Sequence, residues 1–248
     1  MTDRTNSGIS PVALVTGGGR RIGLRIAERL AGAGYAVVVH CGPASLEEAE
    51  CAALRLRAGG GRAAALSLDL ADAAATGALI AKAGAPFGPL TLLVNNASAF
   101  EPDSAHDFDV EGFDRHIAVN LRAPAILARD FARQAPEGAS IVNIVDQRVL
   151  RLTPAYFTYT LAKAALWTAT RTMAQEFAAR GVRVNAVGPG PVFPNANEGE
   201  AGFLREVQGL PLGRAVSPDD IADAVLYLAG ARNVTGQMIA VDAGQHLA

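Results

Sequence analysis

The chain is short of the residues that most often mark a disulfide framework or a metal site. Its 248 residues include two cysteines, four histidines and one tryptophan. Cys41 and Cys51 lack metal-ligand spacing and read as small buried or half-buried thiols in a reducing cytoplasm. The histidines are scattered, so no metal centre is expected. Charge of one sign is also missing. A formal net charge of −2 supplies no basic field for nucleic acid or anionic membrane. No apolar run reaches the length of about 18 residues that a membrane-spanning helix needs. The stretch Met1 to Pro11 is polar and has no signal-peptide core, so residues 1–10 are expected to form a flexible tail of a cytoplasmic protein. Linkers and short-period repeats are absent, which favours one domain over 1–248.

What is present is an apolar fraction of 50%, ample for a large core, arranged as strands alternating with helices. The runs 12–16, 36–40, 63–68, 91–95, 140–145, 182–187 and 238–242 read as strands. Five or six apolar residues without polar alternation mean burial on both sheet faces. Between them, helices are expected at 21–33, 45–58, about 107–133, 153–180 and from Ser217, with one more after Asp69. Ser45 and Glu48 suggest a capping box; Ser217 with Pro218 suggests a capped start. The fold class is therefore α/β: a single-domain Rossmann-type doubly wound parallel sheet of about seven strands, with helices on both faces.

Between the first strand and helix lies Thr16-Gly17-Gly18-Gly19-Arg20-Arg21-Ile22-Gly23. Glycines there let backbone approach a pyrophosphate resting on the helix N-terminus. The second strand ends in His40-Cys41-Gly42-Pro43-Ala44-Ser45, with no carboxylate before Glu47. An acid-free pocket beside Arg20 and Arg21 suits a 2′-phosphate, so NADPH is expected over NADH. Asp69 can accept from an adenine amino group, cap the next helix, or do both.

Tyr159 and Lys163 stand four apart on an expected helix, hence on one face with about 6 Å between β-carbons. The ammonium is expected to lower the phenol pKa and make it a proton donor near neutrality. Asp146 ends the fifth strand.

Together these residues resemble the short-chain dehydrogenase/reductase family from about Val12 to Gly244. The matching pieces are Thr16 to Gly23, Asp69-Leu70, Asn95-Asn96-Ala97-Ser98, Asn120, Tyr159 with Lys163, Pro189-Gly190 and the ending Thr235 to Gly244. The resemblance implies that Gly17, Gly19, Arg21, Ile22 and Gly23 hold phosphates and that Asn95 lies beside the adenine ribose. It makes Tyr159 the proton donor and puts Lys163 on the nicotinamide ribose. Asn120 would kink its helix and order a water behind Lys163. Pro189, Gly190 and Val192 would contact nicotinamide.

Asp146 departs from the Ser that most members carry. With the arginines of the glycine turn and Phe100, it is similar to the pteridine reductase branch and related dihydromonapterin and dihydrofolate reductases. That implies Phe100 stacking on a pterin, with Ser98 and Arg21 bonding it. The chemistry agrees. A carboxylate would repel the negative charge that develops on a carbonyl oxygen. It suits reduction of C=N, where nitrogen needs a proton and ring N–H groups need acceptors. The alternatives are a generic NADPH-dependent ketone reductase, an enoyl-thioester reductase (Tyr156 lies seven before Lys163), and a nucleotide binder without turnover. Residues 190–212 read as a mobile loop on the substrate side. Small residues Ala162, Ala164, Ala165 and Ala169 would permit the close helix packing of a homotetramer, or pack on their own sheet.

Overall fold

The computed structural model describes residues 10–194 and 199–248. Most of the expected tail, residues 1–9, and residues 195–198 of the expected loop lie outside them. Seven parallel strands form one sheet in the order β3-β2-β1-β4-β5-β6-β7. They are β1 (Val12–Val15), β2 (Ala36–Cys41), β3 (Arg62–Ser67), β4 (Leu92–Asn95), β5 (Ser140–Ile144), β6 (Arg183–Pro189) and β7 (Met238–Val241).

Alternation along the central strands feeds two cores. Ala13, Val15, Val37 and Val39 pack with Ile26 of α1 (Arg21–Gly32), Ala52 of α2 (Leu46–Ala58) and Val225 of α8 (Pro218–Gly230). On the other face Val12, Leu14, Ala36 and Val38 meet Leu79 of α3 (Ala73–Gly84) and Phe131 of α5 (Ala123–Gln134). Ala174 of α6 (Phe157–Ala178) joins this second core. The first core has no helix in common with the second, which is the doubly wound arrangement.

Three local expectations are corrected. Ser45 makes no capping bond, because a 3₁₀ turn over Pro43–Ser45 leads into α2. The long helix expected from 107 to 133 is α4 (Val110–Ile117), a π-helical turn (Ala118–Arg122) and then α5. The expected loop contains α7 (Gly199–Gln208). The Ser217 start holds, with a complete capping box to Asp220.

The strand order reverses between β1 and β4. Ligands of open α/β sheets bind at such a point, beyond the carboxyl ends of the strands.

Candidate active site

The carboxyl ends of β1, β4, β5 and β6 open onto a cleft of about 710 Å³. The glycine turn forms its floor at one end, with Gly17, Gly19, Ile22 and Gly23 along the wall and Arg20 and Arg21 beside them. This turn is fixed by close packing. Gly17 has φ 62°, a conformation that favours glycine. A β-carbon at residue 23 would collide with the Gly17 carbonyl and lie 2.6 Å from Asn96 Nδ2. Asn96 Nδ2 donates to the Thr16 carbonyl at 2.8 Å, and the Thr16 hydroxyl accepts from the amides of Asn96 and Ala97 at 2.9 and 3.0 Å. Turn and β4 end are thus laced together, a task of Thr16 visible only once both strands are placed.

His40 lies beneath the turn and is buried. Its Nδ1 accepts from the Gly17 amide at 3.4 Å, so Nε2 carries the proton that bonds the Leu68 carbonyl at 3.1 Å. Burial lowers its pKa to about 4. His40 is therefore a neutral support of the turn as well as a lining residue. Ser45, Asp69 and Leu70 line the same end. Asp69 accepts from the Ala71 amide at 2.9 Å, while Asp72 caps α3. The capping alternative for Asp69 falls away.

Two expected site residues, Asn95 on the cofactor side and Asn120 among the catalytic group, do not line the cleft. Asn95 is buried and donates to Asn143 Oδ1 at 2.8 Å, across the β4–β5 register. Its place is inside the sheet. Asn120 is fully buried in the π-helical turn. Its amide takes the Ala99 N–H on Oδ1 at 3.0 Å and gives Nδ2–H to the Ala99 carbonyl at 2.9 Å. Through these bonds Asn120 fixes the loop that carries Phe100. π-Turns inside helices often mark functional sites.

At the other end of the cleft Ala97, Ser98, Phe100, Asp146, Tyr159, Lys163, Pro189, Gly190 and Val192 converge. Tyr159 Oη donates to Asp146 Oδ2 at 2.8 Å. The other carboxylate oxygen accepts from the Arg148 amide at 2.8 Å. The Arg148 guanidinium turns away to Thr153. Lys163 Nζ donates to the Ile144 carbonyl at 2.8 Å and stands 5.7 Å from the Tyr159 ring centre.

The electrostatics overturn one expectation. The Tyr159 pKa is raised well above its ordinary 10, first by burial and then by the Asp146 charge and hydrogen bond. The Lys163 ammonium donates to a backbone carbonyl and not to the phenol. Burial also lowers Lys163 to about 8, opposed by Asp146. Asp146 is raised by burial, against the pull of the Arg148 amide and the phenol. The site holds a neutral phenol backed by a desolvated carboxyl group, with a desolvated lysine nearby.

Phe100 stacks parallel on Tyr156 at 4.4 Å and meets Tyr159 edge-on at 4.8 Å. The Ser98 hydroxyl donates within this group, to Ala99 O or Asn120 Oδ1 at 3.1 Å. Arg21 adopts φ 50° and lays its guanidinium 5.1 Å from the Phe193 ring centre. Gln147, Phe193, Glu206 and Gln245 also line the cleft, and sequence reasoning singled out none of them. Gln147 follows Asp146 directly and was legible from that neighbour. Phe193 and Glu206 fall within the expected substrate-side segment, while Gln245 arrives from the far end of the chain.

A family model described as enoyl-(acyl carrier protein) reductase matches residues 18–246. The chain belongs to the short-chain dehydrogenase/reductase family and is an oxidoreductase of it. Among solved structures, FolM alternative dihydrofolate reductase 1 from Brucella canis, complexed with NADP, is 46% identical. Its TM-score is 0.92 over 96% of this chain and 94% of that one. The Brucella suis protein of the same name, also with NADP, is 46% identical with a TM-score of 0.91, covering 96% of each chain. A 2-(S)-hydroxypropyl-CoM dehydrogenase of Xanthobacter autotrophicus is 37% identical over 94% of this chain and 95% of its own.

Proposed function

We propose that this oxidoreductase is an NADPH-dependent reductase of a C=N bond in a flat heterocycle of the dihydropterin type. The observation that carries the reading is the 2.8 Å bond from the Tyr159 phenol to Asp146, in a cleft walled by Phe100. The two Brucella dihydrofolate reductases support it by likeness.

The residues fit the dinucleotide. Gly17, Gly19 and Gly23 keep side chains out of the turn, so amides of this segment and the α1 N-terminus can meet phosphate. Arg20 and Arg21 with the acid-free His40–Ser45 end suit a 2′-phosphate; Glu48, which also lines the cleft, is exposed and lies 3.6 Å from Arg20. Ile22, Asp69, Leu70, Asn96 and Ala97 line the nucleotide half. Lys163, Pro189, Gly190 and Val192 bound the nicotinamide half.

Bound NADPH supplies the hydride. Tyr159 delivers the proton to the ring nitrogen that gains an electron pair. Asp146 holds Tyr159 in place, and after proton transfer it relays to the phenolate a proton taken up from solvent. Asp146 and Ser98 also offer oxygens to ring N–H groups, and Phe100 bounds the ring. Asn120 holds the Phe100 loop. Assembly as a homotetramer through α5 and α6 is part of this reading, since Ala164, Ala165 and Ala169 are half-buried on α6 while Ala162 is in the core.

The test is NADPH oxidation against 7,8-dihydrobiopterin, dihydrofolate, simple ketones and crotonyl thioesters. Preference for the pteridines supports the reading. Turnover confined to ketones or enoyl thioesters refutes it.

A further inference from the structure

Tyr156 is a tyrosine beside the site that the proposed proton transfer leaves unused. It stands at the start of α6 with φ 59° and ψ 48°, in the left-handed region. A bulky residue there is an outlier costing about 1–3 kcal/mol. The surroundings over-determine it. Its amide donates to the Asp103 carbonyl at 2.9 Å and its carbonyl accepts from the Thr160 amide at 2.9 Å. The ring is buried and lies 6° from parallel with Phe100. The Arg148 guanidinium lies 4.9 Å from the ring centre.

The backbone on either side of Phe100 is pinned as well. Asn120 holds both the N–H and the carbonyl of Ala99. On the other side the Glu101 amide donates to His116 Nε2 at 3.2 Å. That fixes the tautomer, so His116 Nδ1–H donates to Thr158 Oγ1 at 2.7 Å. The Thr158 hydroxyl then donates to the Asp103 carboxylate, which also takes the Thr158 amide at 3.2 Å. The chain from Glu101 to Asp103 runs in one direction and leaves its hydroxyl and imidazole protons committed.

We propose that Tyr156 is a positioning residue: with the His116 clamp it holds Phe100 as a preformed wall beside Tyr159 and Asp146, selecting flat heteroaromatic substrates over open-chain carbonyl compounds. The selectivity rests on the substrate reading above; the clamp does not. A ring fixed before ligand arrives spares the ordering cost of binding.

Tyr156→Phe keeps the ring, and Tyr156→Leu keeps bulk without it. Both are compared with wild type on 7,8-dihydrobiopterin and a small ketone, and titrated with the pteridine analogue methotrexate in the presence of NADP. Tyr156→Leu is expected to raise the dihydropterin KM and weaken methotrexate by about five- to tenfold. Its kcat, NADP affinity and ketone KM should stay within about twofold, and Tyr156→Phe should restore wild-type behaviour. Unchanged KM and methotrexate affinity in Tyr156→Leu overturns the proposal. So does an equal loss on both substrates. If wild type neither reduces nor binds a pteridine, the substrate reading and the selectivity fall together. The clamp is then decided by crystal structures: one Phe100 orientation in wild type and several in Tyr156→Leu support it, and one in both refutes it.

Discussion

Burial moves the Lys163 amine from 10.5 to about 8, so at neutral pH the folded chain carries a charged, desolvated lysine. That displacement corresponds to about 3 kcal/mol of differential interaction. The sign follows from the folded pKa lying below the unfolded one. Between pH 8 and 10.5 the unfolded chain binds the extra proton, so stability rises with pH across that window. From about pH 7 to about pH 9.5 the gain attributable to Lys163 is about 2 kcal/mol. For a chain of this size that is a Tm difference of about 4–8 °C. Lys163→Met removes the charge at similar volume. It also strands the Ile144 carbonyl, a cost that does not change with pH. Thermal unfolding of wild type and Lys163→Met at about pH 7 and pH 9.5 isolates the effect, because other titrations are common to both. Wild type should gain about 2 kcal/mol on the variant over that range, while the variant loses turnover. Parallel stability curves would refute the desolvated lysine.

Three further outcomes are expected. His40 is lowered to about 4, so its contribution is whole above pH 6.5 and is lost as pH falls toward 4; thermal unfolding should show wild type losing about 2 kcal/mol more than His40→Gln between about pH 7 and pH 5. Gly23→Ala forces a β-carbon against the Gly17 carbonyl and should cost about 1–3 kcal/mol and most NADP affinity, read by thermal shift and fluorescence titration. Asp146→Ser should lower dihydropterin turnover by at least about tenfold while ketone turnover holds or rises, since a hydroxyl donor replaces a charge that repels an oxyanion; kcat/KM on both substrates gives the ratio.

The strands were legible because a parallel sheet buried on both faces leaves uninterrupted apolar runs, such as Ala36, Val37, Val38 and Val39 of β2. The glycine turn and the Tyr159/Lys163 pair were legible because their spacing is itself the geometry. Charge states were not, since they depend on burial that no local spacing encodes: the phenol shifts opposite to the expectation from its lysine neighbour. The side-chain bond of Asn95, which closes β4 as expected, was hidden for a related reason. Its partner Asn143 lies on β5, and only the strand register brings the two amides together. The π-helical turn lies at Asn120, where the family resemblance implied a kink, though no local spacing marks it. Helix α7 was hidden because Gly199, which has φ 60°, and its polar neighbours resemble loop.

The raised Tyr159 pKa bears on the direction of the reaction. A phenol must be deprotonated to serve as base in an oxidation, and must be protonated to serve as acid in a reduction. Here burial and the Asp146 charge both hold the proton on oxygen. In the proposed reduction hydride adds to the ring carbon, and the nitrogen gains the electron pair of the C=N bond and becomes strongly basic, so even a weak acid transfers its proton downhill. An acid that stays loaded loses nothing in that exchange, whereas a base that is never unloaded would stall an oxidation. On the proposed function, the carboxylate in place of the usual serine does two things with one charge. It disfavours an oxyanion at the reacting carbon, and it keeps the tyrosine in the form that a reductase needs.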